Sequence, residues 1–294
     1  MARFVLSAFA DEAGSTLQEQ IAALKENEID YIEPRSIDGK GILDFTDEEL
    51  VDIKKKLEAV GIKVGSLGSP IGKYPIDEPF LPHFEKTKRA VEMCKLLGTE
   101  NLRMFSFFVE QDKLSENKSE VISRLTEMVA YGKENGVRFC HENESKIYGQ
   151  MPAQVRELLT EIPDMYGIFD AANYRMNDGD IDDGIDATLI RLAYLHIKDA
   201  IFKDQLIVPA GEGEGKIAEA LNRVDKAIDG VVFLTLEPHL KVFDAYKDID
   251  EHELKNKYVF KTNREAFDFA ASALKKLLTE NGYERNCKNE WIRK

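Results

Sequence analysis

Cysteine is scarce. Cys94, Cys140 and Cys287 are the only three in 294 residues, odd in number and far apart. No Cys-x-x-Cys pair or other zinc-finger spacing occurs, which argues against a disulfide framework and fits a reducing, cytoplasmic setting. No apolar run approaches the about 18 residues of a membrane helix, so no membrane partner is expected. Ala8-Phe9-Ala10 imitates a signal-peptidase site after Arg3 and a brief apolar run. The stretch is shorter than the about 15–30 residues of a secretory signal, and 4–9 serves better as a first strand. No Gly-x-Gly-x-x-Gly follows that strand, which lowers a dinucleotide-binding reading. Low-complexity tracts and linkers are also missing. Positive charge falls short of negative by 14, spread over the whole chain. That balance disfavours adhesion to nucleic acid or anionic lipid.

Present instead is a strict alternation. Strands are expected at 4–9, 30–34, 63–67, 102–107, 137–142, 165–170, 194–198 and 231–237. Helices are expected at 16–27, 47–59, 82–97, 115–135, 152–161, 186–192, 217–228 and 264–280. Val121, Ile122, Leu125, Met128 and Val129 fall on one helical stripe, as do Phe267, Ala270, Leu274, Leu277 and Leu278. Gly61, Gly98, Gly136, Gly230 and Gly282 stand just past the last periodic residues, where a left-handed cap is expected. Apolar content of 43% suffices for a sizeable core. Eight strand–helix units favour an α/β single domain, a (β/α)8 TIM barrel over 1–282, with a polar tail at 283–294. A doubly wound open sheet gives the same alternation and stays open. The tail carries the only tryptophan, Trp291, and is expected to be loosely held or to dock on a neighbour. Two stretches, 202–216 and 240–263, exceed usual loop length and are candidate lids.

Four expected strands end in residues able to hold a divalent metal: Glu142 in Cys140-His141-Glu142-Asn143, Asp170, His196, and Glu237 in Leu236-Glu237-Pro238-His239. In a parallel barrel all strand C-termini share one face, so these four can converge. Three carboxylates and one imidazole make a mostly oxygen site, suited to Mn²⁺ or Mg²⁺ and tolerable for Co²⁺ or Zn²⁺. Each has a plainer reading: an ion-pair partner for Glu142, a turn cap for Asp170, a core imidazole for His196, a rim charge for Glu237.

His-Glu-Asn at 141–143, Phe-Asp-Ala-Ala-Asn at 169–173, His-Ile-Lys-Asp at 196–199, Gly-Glu-Gly-Glu-Gly at 211–215 and Leu-Glu-Pro at 236–238 form a set. Together they resemble the xylose isomerase-like sugar phosphate isomerases and epimerases, a TIM-barrel family related to tagatose 3-epimerase and endonuclease IV. The resemblance covers essentially the whole chain. It implies that Glu142, Asp170, His196 and Glu237 bind one divalent metal, most often Mn²⁺ in this reading. It also implies that Glu142 and Glu237 act as an acid/base pair on opposite faces of a sugar. The chemistry is sensible for these residues: a cation bridging a carbonyl and a hydroxyl stabilises an enediolate, and one carboxylate removes the alpha proton while another returns it. Return to the opposite face epimerises; return to the adjacent carbon isomerises.

Lys198 shares the parity of His196 and is expected to steady an oxyanion or substrate hydroxyl, or to pair with a carboxylate. Glu33 and Arg35 end the second strand, and the resemblance implies that Glu33 touches substrate or supports the metal ligands. Asn173 stands where many relatives carry a substrate-contacting His, and keeps a donor and an acceptor. His141 or Asn143 is expected to orient Glu142, with His141 carried as a substrate contact. The direction of His239 is open beyond Pro238. Arg103 and Arg175 read as rim charges that could receive a phosphate. The segment 209–215 lacks the Lys-Ser/Thr of a P-loop, and its two glutamates argue against holding an anion. An inosose dehydratase-like lyase on the same site is the main alternative. A nuclease of the endonuclease IV type would need further histidines where Leu67-Gly68-Ser69, Phe105-Ser106-Phe107 and Asn173 stand. A sugar-binding barrel without catalysis is the third alternative. The expected substrate is a small sugar or polyol, the expected assembly a possible homo-oligomer.

Overall fold

The computed structural model describes residues 1–241, 255–256 and 258–294. The eight expected strands form: β1 Ala2–Ala8, β2 Tyr31–Ile32, β3 Lys63–Val64, β4 Asn101–Met104, β5 Arg138–Glu142, β6 Tyr166–Asp170, β7 Leu192–Ile197 and β8 Gly230–Leu236. Each pairs in parallel with its neighbour in sequence from β4 through β8, and β8 pairs with β1 over its whole length. β1 also pairs with β2, and β2 with β3. The last seam, β3 to β4, is held by the bridge Leu67↔Leu102, where the Leu67 N–H donates to Asn101 O and the Arg103 N–H to Leu67 O. The ring therefore closes, and the fold is a (β/α)8 barrel in one domain, not an open sheet.

Helices cover the outside: α1 Leu17–Glu26, α2 Asp47–Ala59, α3 Phe80–Leu97, α4 Leu114–Glu134, α5 Pro152–Glu161, α6 Ile181–Thr188, α7 Ile217–Ala227 and α8 Asn263–Glu280. Thr16 with Glu19, and Thr46 with Glu49, form reciprocal capping boxes that start α1 and α2. The stripes foreseen on α4 and α8 are the faces that pack inward: Val121, Leu125, Met128 and Val129, then Phe267, Ala270, Leu274 and Leu278, are buried.

Three expectations shift. α6 was expected at 186–192 but begins at Ile181, because the Asp180 carboxylate accepts the Asp183 N–H and starts the helix a turn and a half earlier. An additional short helix, Ala171–Met176, precedes it. Gly61, Gly98, Gly136 and Gly282 adopt positive φ near 80° after their helices, whereas Gly230 at φ +141° opens β8. The tail folds onto its own barrel. Tyr283–Arg285 and Glu290–Arg293 form a hairpin that pairs antiparallel with β1 at Phe4↔Trp291 and Val5↔Glu290. β2 pairs only with Ser7 and Ala8, so the lower edge of β1 would otherwise expose unpaired backbone. Trp291 is buried there. Of the two expected lids, 202–216 folds as Asp199–Ile201 pairing with Leu206–Val208, which in turn pairs with Lys255–Asn256. Most of 240–263 lies outside the described residues.

Candidate metal centre

β5 and β6 end at Glu142 and Asp170, His196 is the last residue but one of β7, and Glu237 follows the last residue of β8. Register makes Asp170 the Cα partner of His196, and His196 the partner of Thr235. Glu142, Asp170, His196 and Glu237 each offer one ligand atom, all within 4.8 Å of one another, and all four residues are buried. His196 Nδ1 lies 3.2 Å from Glu142 Oε1 and 3.3 Å from Glu237 Oε2. Neither His196 Nδ1 nor Asp170 Oδ2 has a hydrogen bond of acceptable geometry. Buried ligand atoms that converge without satisfying one another are the donor set a cation fits.

The side chains around the four are held tightly. Asp170 caps the short helix, its Oδ1 accepting the Asn173 N–H at 2.9 Å, while Oδ2 faces the cluster. Asn143 clamps the Asp170 backbone, its Nδ2 donating to Asp170 O at 2.9 Å and its Oδ1 accepting the Asp170 N–H at 3.0 Å. Asn173 Nδ2 donates to Glu142 Oε1 at 3.2 Å and to Asn143 O at 2.9 Å. Lys198 Nζ stands 3.0 Å from Asp170 Oδ2 and 3.4 Å from Glu237 Oε2.

Glu33 is placed differently from a substrate contact. It is fully buried under His196, with Oε2 3.5 Å from His196 Nε2, and Oε1 accepts the Tyr194 hydroxyl at 2.9 Å. A carboxylate facing Nε2 favours the tautomer with the proton there, leaving the Nδ1 lone pair toward the cluster. His141 also departs from its expected role. Strand alternation turns it away from Glu142, and its Nε2 meets Ser106 Oγ at 2.9 Å, so the placement does not support a substrate contact. Arg35 does face the site: it pairs with Asp11 at 2.9 Å and with Glu237 Oε1 at 3.0 Å.

Sequence reading missed several neighbours. Arg103 is no rim charge; it is buried and donates to Glu142 Oε2 at 3.1 Å and to Gly68 O. Its strand parity with the end of β4 was the available signal. Arg175 does stay at the rim, paired with Asp178 and Glu214. Glu12 and His239 join Glu237 in a second group of potential ligands, and the Arg35 guanidinium already sits among them, 3.5 Å from Glu12 Oε1. The glycine-rich segment does hold an anion, but the chain's own. Gly211, Gly213 and Gly215 N–H groups donate to the Asp199 carboxylate at 2.9, 3.0 and 2.9 Å. A Cβ on Gly213 would lie 2.2 Å from Asp199 Oδ1, so glycine is required there.

The family model for xylose isomerase-like TIM barrels matches residues 21–252. The chain belongs to this family. No curated protein matches it in sequence. Among solved structures, an IolI protein with a bound zinc atom superposes with a TM-score of 0.72 at 18% identity, over 95% of this chain and 99% of that one. The probable 3-DHS dehydratase AsbF of Bacillus anthracis gives 0.71 at 13% identity, over 94% and 99%. D-psicose 3-epimerase, solved in the presence of D-fructose, gives 0.69 at 14% identity, over 92% and 97%. At these identities the likeness is one of fold, and this fold family includes sugar epimerases.

Among the described residues, buried carboxylates outnumber buried cations at the barrel mouth. Asp11, Glu12, Glu33, Glu142, Asp170 and Glu237 are buried there together with Arg35, Arg103 and Lys198. Burial opposes charge on His196, yet Glu142 and Glu33 outweigh it and hold the imidazole well above its ordinary range. Burial lifts Asp170 to about 7, with Lys198 pulling the other way. Glu12 is raised well above the carboxylate range, chiefly by burial. For Glu142 burial is overcome by His196 and Arg103, which hold it down at about 2. The carboxylates thus favour positive charge at the cluster. Beside the cluster opens a cavity of about 780 Å³ whose lining includes Arg35, Arg103, Lys73, Lys86 and Tyr74. Among the described residues no helix is long and apolar enough to cross a membrane.

Proposed function

We propose that this protein is a metal-dependent sugar or sugar phosphate isomerase or epimerase. The observation that carries the reading is the convergence of Glu142, Asp170, His196 and Glu237 at one buried point on the strand-end face. Those four would hold a single divalent ion, Mn²⁺ first among Mg²⁺, Co²⁺ and Zn²⁺ on the oxygen-rich donor set. When bound, that ion supplies Lewis-acid polarisation of adjacent carbonyl and hydroxyl oxygens. The chain's own residues do the rest. Glu142, kept ionised by Arg103, takes the proton alpha to the carbonyl. Glu237, kept well below the usual carboxylate range against burial by Lys198 and its histidine neighbours, exchanges a proton on the other side. Lys198 serves substrate oxygens as a donor, while Asn173 holds Glu142 Oε1 in place. The strand-end acidity and net charge fit a small polyol and not a nucleic acid.

A dehydratase is the second reading, favoured by one observation. The Lys198 ammonium stands within 3.4 Å of both Asp170 and Glu237, where it could protonate a departing beta-hydroxyl. A screen of ketoses, ketose phosphates and inososes with added Mn²⁺, reading isomerised and dehydrated products, separates the two. Glu142→Gln and Glu237→Gln should each abolish solvent deuterium incorporation followed by NMR; full exchange in both variants refutes the acid/base assignment.

A further inference from the structure

The two glutamates divide their oxygens in the same way. Glu142 turns Oε1 toward His196 Nδ1, 3.2 Å away, and gives Oε2 to Arg103 Nη1 at 3.1 Å. Glu237 turns Oε2 toward the same nitrogen, 3.3 Å away, and gives Oε1 to Arg35 Nη1 at 3.0 Å. Both arginines line the 780 Å³ cavity, and both stack on one ring: the guanidinium carbons lie 4.4 Å (Arg35) and 4.8 Å (Arg103) from the Phe9 centroid. Phe9 in turn meets the His196 ring edge-on at 5.1 Å. Neither guanidinium is free to swing. Arg103 is also tied to Gly68 O at 3.3 Å, and Arg35 is tied to Asp11 through Nε and Nη2 at 3.0 and 2.9 Å.

We propose that Arg103 and Arg35 are positioning residues. Each holds the outer oxygen of one glutamate on the side of the cavity-lining arginines, so that only the inner oxygen is offered to the metal and the outer one is left to move the proton. A carboxylate left unheld can chelate a divalent ion through both oxygens; a guanidinium fork claiming one of them prevents it. This rests on the metal-centre reading above. It adds which oxygen does what: Glu142 Oε2 and Glu237 Oε1 are the proton-transfer atoms.

The test uses the full chain loaded with Co²⁺, in Arg103→Gln and Arg35→Gln, with Arg103→Lys and Arg35→Lys as conservative partners. Visible absorption reports coordination number independently of turnover. In each Gln variant the d–d bands should weaken to less than half as a second carboxylate oxygen binds. Deuterium exchange on the accepted ketose should fall about 100-fold in kcat with KM within threefold, and Lys should restore part of both. Gln variants that bind one Co²⁺ with the parent spectrum and exchange at the parent rate overturn the proposal. If a Gln variant fails to fold, its Lys partner decides, because one ammonium cannot reproduce the fork; a parent spectrum and rate there overturn it equally. Should the parent protein bind Co²⁺ but exchange no proton, the catalytic reading fails while the spectra still judge the arginines.

Discussion

Replacing Glu33 by Gln probes whether His196 is a metal ligand held in one tautomer. The change is nearly isosteric. The amide oxygen can still accept the Tyr194 hydroxyl, now at 2.9 Å, so packing at this fully buried position is kept. What disappears is the anionic acceptor 3.5 Å from His196 Nε2. The ring can then carry its proton on Nδ1, the nitrogen 3.2 Å from Glu142 and 3.3 Å from Glu237, where a metal would compete for it. Loss of the outer partner of a ligating histidine costs about 10–100-fold in affinity. In free energy this is about 1.4–2.7 kcal/mol. The metal-free protein should respond differently. It loses one negative charge from a cluster already rich in carboxylates, so its Tm should stay within about 3 °C or rise. Competition titration of Zn²⁺ or Co²⁺ against a chromophoric chelator measures the first quantity, and thermal melts of chelator-treated protein the second. Affinity within twofold of the parent would refute the reasoning. A parallel fall in affinity and metal-free Tm would show that Glu33 only supports the barrel interior.

Acid should weaken the protein through two buried histidines. Burial lowers both His83 and His141 to about 4, below the ordinary 6.5 of an unfolded chain, so their contribution is complete above pH 6.5 and is lost as pH falls toward 4. At pH 5 the loss is about 2 kcal/mol for each, read as a drop in urea midpoint between pH 7 and pH 5; an unchanged midpoint contradicts it. Gly72→Ala should cost about 3 kcal/mol or more, since its φ is +88° and a Cβ would stand 1.9 Å from Phe105 O. Gly39→Ala, at φ +73° with nothing within 4 Å, should cost only about 1 kcal/mol, and equal Tm shifts would contradict the contrast. Trp291→Ala should destabilise by about 3–5 kcal/mol through loss of buried packing beside β1, measured by denaturant unfolding; a shift below 1 kcal/mol would mean the hairpin is not part of the folded unit.

Periodicity and turn chemistry are local, and they determined most of what was legible in the sequence. The eight strands and the bounds of α2 and α5 follow from apolar spacing, helix caps and glycines. Because parallel strands place their ends on one face, the gathering of Glu142, Asp170, His196 and Glu237 could be read before any coordinates. What sequence could not supply was partner choice across the barrel. Whether the ring closes depends on one bridge, Leu67 to Leu102. Arg103 looks like any strand-end arginine until Glu142 is found opposite it. Glu33 and Arg35, two residues apart, share a parity yet part ways: one lies under His196, the other faces Glu237 across the mouth. The Gly211–Gly215 loop meets its anion only because Asp199 folds into it. Charges pair through space, not along the chain. The backbone pattern therefore fixes where side chains stand, and tertiary contact alone decides which neighbour neutralises each one.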